Sequence, residues 1–292
     1  MIPNSHQPVL IREVMRSINP QPGEFIIDGT IDGGGHAEEI VRLIAPNGML
    51  LGVDWDDEMI AISRKKLEGK GNVVLAQGNY AELPNILQGL KLERANGLLL
   101  DLGFSSNQLE YAGRGFSFQK DEVLDMRYNQ GESPMAAEVL QQAREEELAD
   151  IFYKFGEERA SRKIAKAIVE TRRKTPIVTT RDLVEIAKQY VRQSRLNPAT
   201  KIFQALRIYV NRELENLEAV LDRLEEIVRP GGRVAIITFH SLEDRIVKNK
   251  FREREKKGTA TSMTKKPIEA SEEERERNPR SRSAKLRVIT IT

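Results

Sequence analysis

The sequence has no cysteine, three histidines and a single tryptophan in 292 residues. Without cysteine it can form no disulfide, thiolate nucleophile or cysteine-built metal site. The histidines, His6, His36 and His240, stand far apart in the chain, so no histidine-built site and no metal is expected. No apolar run reaches the roughly 18 residues needed to cross a bilayer. Residues 1–6 lack the basic stretch and apolar core of a secretory signal. These absences lead to the expectation of a cytoplasmic, metal-free, non-redox protein with no membrane partner. Aromatic residues are 5% of the chain and charged residues 31%, which fits a globular protein with a modest aromatic core.

The net charge of +2 is small only as a total. Residues 1–108 hold 9 basic and 14 acidic groups, residues 109–244 hold 22 and 23, and residues 245–292 hold 15 and 7. The balances are −5, −1 and +8. A polyanion is expected to be gripped by the rear of such a chain.

The first hundred residues alternate short apolar runs with amphipathic stretches. Strands are expected at Phe25 to Asp28, Met49 to Asp54, Val73 to Gln77 and Gly97 to Asp101, with helices from His36 to Ile44 and from Asp56 to Leu67. Continuous apolar strands separated by helices predict a parallel sheet covered on both faces. From Leu109 to Asn197 the periodicity is helical throughout, with Thr179 and Asp182 forming an N-cap signal. A long helical stretch from Ile202 to Val228 ends at Pro230-Gly231-Gly232. Strands return at Arg233 to Phe239 and at Leu286 to Thr292. A sheet that pauses and resumes implies an inserted helical domain. Residues 252–285, charged and poor in large apolar groups, are expected to form a mobile surface loop.

Three segments carry chemistry. The strand ending at Asp28 runs into Gly29-Thr30-Ile31-Asp32-Gly33-Gly34-Gly35-His36, a turn that lets backbone approach a ligand beside free helix N–H groups. The second strand ends in Asp54, whose carboxylate can accept both hydroxyls of a ribose. Together they point to a nucleoside cofactor, NAD or S-adenosylmethionine. The loop lacks an uninterrupted Gly-x-Gly-x-x-Gly, Asp101 adds a carboxylate at the end of the fourth strand, and a terminal strand after a long connection suits an antiparallel closing pair. These features favour S-adenosylmethionine. After Asp101 come Leu102, Gly103, Phe104, Ser105, Ser106, Asn107 and Gln108. Methylating an exocyclic amine needs acceptors for its N–H groups. Asp101 and the Ser105 and Ser106 hydroxyls can accept, and Phe104 can stack on a base.

The sequence resembles the bacterial 16S ribosomal RNA cytidine-N4 methyltransferase family (the MraW, or RsmH, family). The resemblance runs through His6-Gln7-Pro8-Val9-Leu10, Asp28 to His36, Asp101-Leu102-Gly103-Phe104-Ser105-Ser106 and Arg114-Gly115-Phe116-Ser117-Phe118. It continues in Leu124-Asp125-Met126-Arg127, Gly156-Glu157-Glu158-Arg159 and Phe203-Gln204-Ala205-Leu206-Arg207-Ile208. Phe239 to Arg245 and Asn278 to Arg287 close it, in the same order over nearly the whole chain. It implies an α/β fold: a Rossmann-like class I S-adenosylmethionine-dependent methyltransferase sheet with an inserted all-helical domain. The implied division is a first methyltransferase part at 1–107, a helical RNA-binding insert at 108–198, and a second methyltransferase part with a basic C-terminal loop at 199–292.

The resemblance further implies S-adenosylmethionine as cofactor and a cytidine of 16S rRNA, near the decoding centre of the small ribosomal subunit, as substrate. Gly34, Gly35, His36, Asp54, Tyr80, Asp101 and Gln108 are the cofactor positions it indicates. Asp101, Ser105 and His240 are the catalytic candidates, His240 for positioning the substrate. Phe104 and Arg245 are expected beside the target base. Arg159, Arg162, Lys163 and Lys166, on one helical face, are the RNA-contact candidates, against a plain solvated helix. Asp32 stands where the family usually has glycine, Phe104 where it has a small aliphatic residue, and Asn197 where it often has histidine. Two other readings stay open here: a methyltransferase of the same fold acting on a protein or small molecule, and a non-catalytic RNA-binding module. The sequence also leaves open monomer or homodimer, and free RNA or assembled subunit.

Overall fold

The computed structural model describes residues 8–104, 108–109, 113–191 and 197–292. Ser105, Ser106, Asn107 and His6 lie outside them. The chain divides into two compact units, Met1–Phe104 with Leu214–Thr292, and Ser105–Glu213.

The first unit is built on strands β1 (Phe25–Asp28), β2 (Met49–Asp54), β3 (Asn72–Gln77), β4 (Ala95–Asp101), β5 (Val228–Thr238), β6 (Ala260–Ser262), β7 (Ile268–Glu269) and β8 (Lys285–Ile291). They lie in the order β3-β2-β1-β4-β5-β8-β6, with β7 also paired to β8. β1 to β5 are parallel. β8 runs antiparallel to β5, and β6 and β7 run antiparallel to β8. Helices α1 (Ile11–Ile18), α2 (Gly35–Ile44), α3 (Asp57–Leu67) and α4 (Leu83–Leu90) belong to the front of the chain. This is the Rossmann-like sheet expected from the sequence, with its closing antiparallel strand.

Successive residues of each central strand feed opposite cores. Ile27, Leu51, Leu98, Leu100 and Ile236 join one buried cluster, while Ile26, Leu50, Leu99, Ala235 and Ile237 join the other. Burial on both faces is why these strands read as unbroken apolar runs.

The second unit is helical: α5 (Ala136–Gln142), α6 (Glu145–Gly156), α7 (Ser161–Arg172), α8 (Thr180–Tyr190) and α9 (Thr200–Asn211). The Thr179–Asp182 signal forms a capping box at the start of α8, satisfying two helix-end donors. The unit contains the expected 108–198 insert and takes in α9 as well. α9 is bound to α6 and its end: Gln204 Nε2 donates to Phe155 O at 3.0 Å and Tyr209 Oη to Glu147 Oε1 at 3.0 Å.

Two expectations are corrected. The stretch from Ile202 to Val228 is not one helix, because Arg212 takes a left-handed φ of 49° and ends α9. It is followed by α10 (Glu213–Asp222) and α11 (Leu224–Ile227), and β5 already begins at Val228, carrying Pro230-Gly231-Gly232 within it. Residues 252–285 are not a featureless loop. α12 (Ser241–Lys257) extends into them, then β6, β7, α13 (Glu272–Arg277) and a short 3-10 turn at Pro279–Arg282. The segment is anchored by Ala260, Ala270, Ser281 and Ala284, all buried. Such small anchors leave no hydropathy signal. Among the described residues, no helix is long and apolar enough to cross a membrane.

Candidate active site

The C-terminal ends of β1, β2 and β4 adjoin, with Asp28 paired in register with Gly52 and Leu99. Parallel sheets of this type receive ligands at that edge. The chain leaving β1 folds across it: Gly29 N–H donates to Leu99 O and Ile31 N–H to Val53 O, both at 2.9 Å. Asp32 N–H donates to Asp54 Oδ2 at 3.0 Å, and Asp101 N–H donates to Thr30 Oγ1 at 2.6 Å. Asp32, Gly33 and Gly34 have φ values of 40°, 70° and 80°. Glycine adopts these freely, and aspartate is one of few other residues that tolerate them. The departure at Asp32 therefore keeps the turn. α2 then begins at Gly35 with no side-chain cap in its first turn, a helix end suited to an anion.

Four carboxyls converge on this loop. The charge of Asp32 acts on Asp28, Asp54 and Asp101 alike. Burial, reinforced by that repulsion, pushes Asp28 up to about 7. Asp54 is pushed up to about 8, chiefly by burial, although its carboxyl accepts the Asp56 and Asp32 N–H groups. Asp101 is raised well above the usual carboxylate range by burial first, then by Asp32 and Asp28, against the opposing charge of Arg280. Asp101 Oδ1 is buried with no hydrogen-bond partner, and Oδ2 lies 3.6 Å from His36 Nδ1. His36 is itself buried, with Nε2 2.9 Å from Val9 O. A carbonyl only accepts, so Nε2 carries a proton, and Nδ1 is the ring nitrogen turned to Asp101.

Around this cluster stand the other expected residues of the first unit. Tyr80 opens a single turn after β3, and its Cβ lies 3.5 Å from where a side chain on Gly29 would begin. The guanidinium of Arg280 sits over the Phe104 ring, 5.6 Å from its centroid. His240 is the N-cap of α12: its Nδ1 accepts the Glu243 N–H at 3.4 Å. The buried Glu243 carboxylate accepts the Phe239 N–H at 2.8 Å and faces His240 Nε2 at 3.0 Å. The ring is thus held at the strand-to-helix junction. Arg245, one turn into α12, is exposed.

Gln108 is buried and belongs to the second unit, where Arg159, Arg162, Lys163 and Lys166 are exposed on and beside α7. Ser105 lies outside the described residues. Sequence reading did not single out Asp28, Thr30, Glu243 or Arg280 as members of this site. Glu243 has a recognisable signal, since it stands three residues after its cap, but histidine is an unusual capping residue.

The model of the MraW methylase family matches residues 3–292. The chain belongs to the MraW methylase family. Among curated relatives, "Ribosomal RNA small subunit methyltransferase H" of Syntrophotalea carbinolica is 44% identical over 97% of this chain and 97% of its own length. The proteins of the same name from Desulfotalea psychrophila and Coprothermobacter proteolyticus are 45% and 43% identical, over 97% of this chain and 97% and 95% of theirs.

A MraW methylase uses S-adenosylmethionine, and the residues at the β1–β2–β4 edge fit that group. Its sulfonium and ammonium are cations, and the edge holds a buried carboxyl oxygen without a partner among carboxyls that burial and mutual repulsion have raised. Its carboxylate suits the uncapped end of α2.

The cluster has a measurable signature. Asp28, Asp54 and Asp101 have folded-state pKa values above their ordinary 3.8. The stability they contribute is therefore complete below about 4 and lost as pH rises through 7 to 8. Asp32→Asn keeps a side chain that accepts positive φ and removes the shared repulsion. We expect its thermal midpoint to exceed wild type clearly at pH 8, by about 1 kcal/mol of stability, and little at pH 5. Equal gains at both pH values would contradict the coupling.

Proposed function

We propose that this chain methylates the exocyclic N4 of a cytidine in 16S rRNA of the small ribosomal subunit, with S-adenosylmethionine as donor. The observation that carries the reading is Asp101 Oδ1, buried and without a partner at the end of β4. The full-length relatives named for small-subunit ribosomal RNA methylation support the substrate class. On this reading the first unit is the cofactor domain, the helical unit (the expected 108–198 insert together with α9) grips the RNA, and the reaction takes place in the cytoplasm.

S-adenosylmethionine, when bound, supplies a methyl group made electrophilic by its sulfonium. Gly34, Gly35 and the amino end of α2 would receive its carboxylate, Asp54 its ribose hydroxyls, and Tyr80 would lie along the adenine. A cation near Asp101 favours its ionised form. The ionised oxygen then accepts an N–H of the cytosine amine, whose lone pair is otherwise delocalised into the ring, and fixes the nitrogen in line for attack. Phe104, steadied by Arg280, offers a face for the base. His240 and Glu243 hold the β5–α12 junction. Ser105 and Gln108 complete the assignment as amine acceptor and cofactor contact, and Arg245 as an RNA contact.

The test is transfer of labelled methyl from S-adenosylmethionine to 30S subunits and to naked 16S rRNA, with the modified nucleoside identified by mass spectrometry. N4-methylcytidine is the expected product. Label only in protein, or none in RNA, would overturn the proposal.

A further inference from the structure

The helical unit carries a groove that the cofactor site does not use. It has a volume of about 1110 Å³ and is lined by α6, the start of α7, the end of α8 and the start of α9. That is larger than the cavities that enclose drug-sized ligands, and its lining is not that of an apolar pocket. Two tyrosines project there, Tyr153 63% exposed and Tyr190 37% exposed. Neither ring is used by the helical core.

The groove wall carries charge that no described acidic side chain compensates. Three other cations of the unit are paired: Lys166 with Glu170 at 3.9 Å, Lys188 with Glu185 at 2.8 Å, Arg181 with Asp121 at 3.3 Å. Among the described residues, Arg159, Arg162 and Lys163 in the groove wall have no acidic partner, and all three are exposed. The two acids of the wall are already engaged. Asp150 pairs with Lys154 at 2.7 Å, and the buried Glu158 accepts the Ala160 N–H at 2.8 Å.

Free cations interleaved with exposed aromatic rings are what a single strand requires: charge for the phosphates, and π-faces for bases not stacked in a helix. A duplex would use the cations alone. We propose that this groove is a binding site for a single-stranded segment of RNA, with Tyr153 and Tyr190 stacking on unpaired bases and Arg159, Arg162 and Lys163 neutralising the backbone. The inference rests on the reading of this chain as an RNA methyltransferase and adds how the substrate strand is held.

The test uses the full chain and a fluorescent 12-nucleotide RNA, single-stranded or annealed to its complement, with binding followed by anisotropy across a salt series. Tyr153→Ala and Tyr190→Ala each weaken single-strand binding by about 5- to 100-fold, whereas Tyr→Phe at either position restores it and duplex binding is unmoved. Arg162→Ala with Lys163→Ala lowers the single-strand salt slope by about 0.7 per charge removed; the tyrosine variants leave the slope alone. In the methylation assay the tyrosine losses fall on KM for RNA rather than kcat. Unchanged S-adenosylmethionine affinity by calorimetry identifies variants that are folded. Folded alanine variants that bind the single strand like wild type overturn the inference. So does displacement of the RNA by an acidic peptide of equal charge. If wild type produces N4-methylcytidine while these variants keep its KM and affinity, the groove inference fails and the proposed reaction stands. If wild type labels no RNA, the reaction fails, and the anisotropy alone decides the groove.

Discussion

Asp101→Ala is expected to lower kcat by about 10³-fold while making the protein more stable at neutral pH. The loss follows from the position of the carboxyl, which is buried at the end of β4 with one oxygen unpartnered. The variant loses both the orienting bond to the amine and the charge facing the reacting centre. Removing one such preorganised group costs about 10²- to 10³-fold, and here one group does both tasks. The stability gain follows from the same burial. The Asp101 carboxyl is held well above its ordinary range by burial and by Asp32 and Asp28. Its ionisation therefore opposes folding as pH rises, and removing it removes that opposition. Methyl-transfer rates and thermal midpoints at pH 6 and 8 check both halves. Near-normal turnover would refute the assigned role, whatever the stability. Loss of activity with gain of stability is the mark of a group kept for function.

Gly156→Val is expected to destabilise the helical unit by about 3 kcal/mol, the upper end for forcing extra atoms into a packed contact. A Cβ at Gly156 would lie 2.5 Å from the Lys201 backbone oxygen and 3.3 Å from Ala205 Cβ. The first of these is backbone, so α9 would have to move away from α6. Gly89→Ala in α4 is the matched control. A Cβ there meets nothing within 4 Å, and replacing glycine inside a helix stabilises by roughly 0.5–1 kcal/mol. Urea unfolding followed by circular dichroism distinguishes them. A Gly156→Val protein with a wild-type midpoint would show that the two helices can separate without cost.

Much of this architecture is legible in the sequence. Strands buried on both faces are continuous apolar runs, so β1, β2, β3 and β4 were found within a residue or two of their limits. Asp54 and Asp101 stand out because, like Asp28, they are carboxylates that end such runs. The Thr179 cap was legible because its partner is three residues away. What was hidden depends on contacts distant in sequence or on small residues. The mutual repulsion of Asp28, Asp32, Asp54 and Asp101 arises only when three strand ends meet. Arg280 over Phe104 joins the two ends of the first unit. The segment between α12 and β8 is held by alanines and a buried serine, residue types that raise no hydropathy. Tyr153 and Tyr190 carry no sequence signal that separates an exposed ring from a packed one, and only the fold exposes them.

β8 occupies an interior place in the sheet, between β5 and β6, although it comes after both in the sequence. The order of synthesis is therefore not the order of assembly. While the chain emerges, β5 presents an open edge whose neighbour has not yet been made, and unpaired edges of this kind invite other strands. Sheet closure waits for residues 285–291, so the edge of β5 stays open until they have been made. The interval before then is when a chaperone has most to protect.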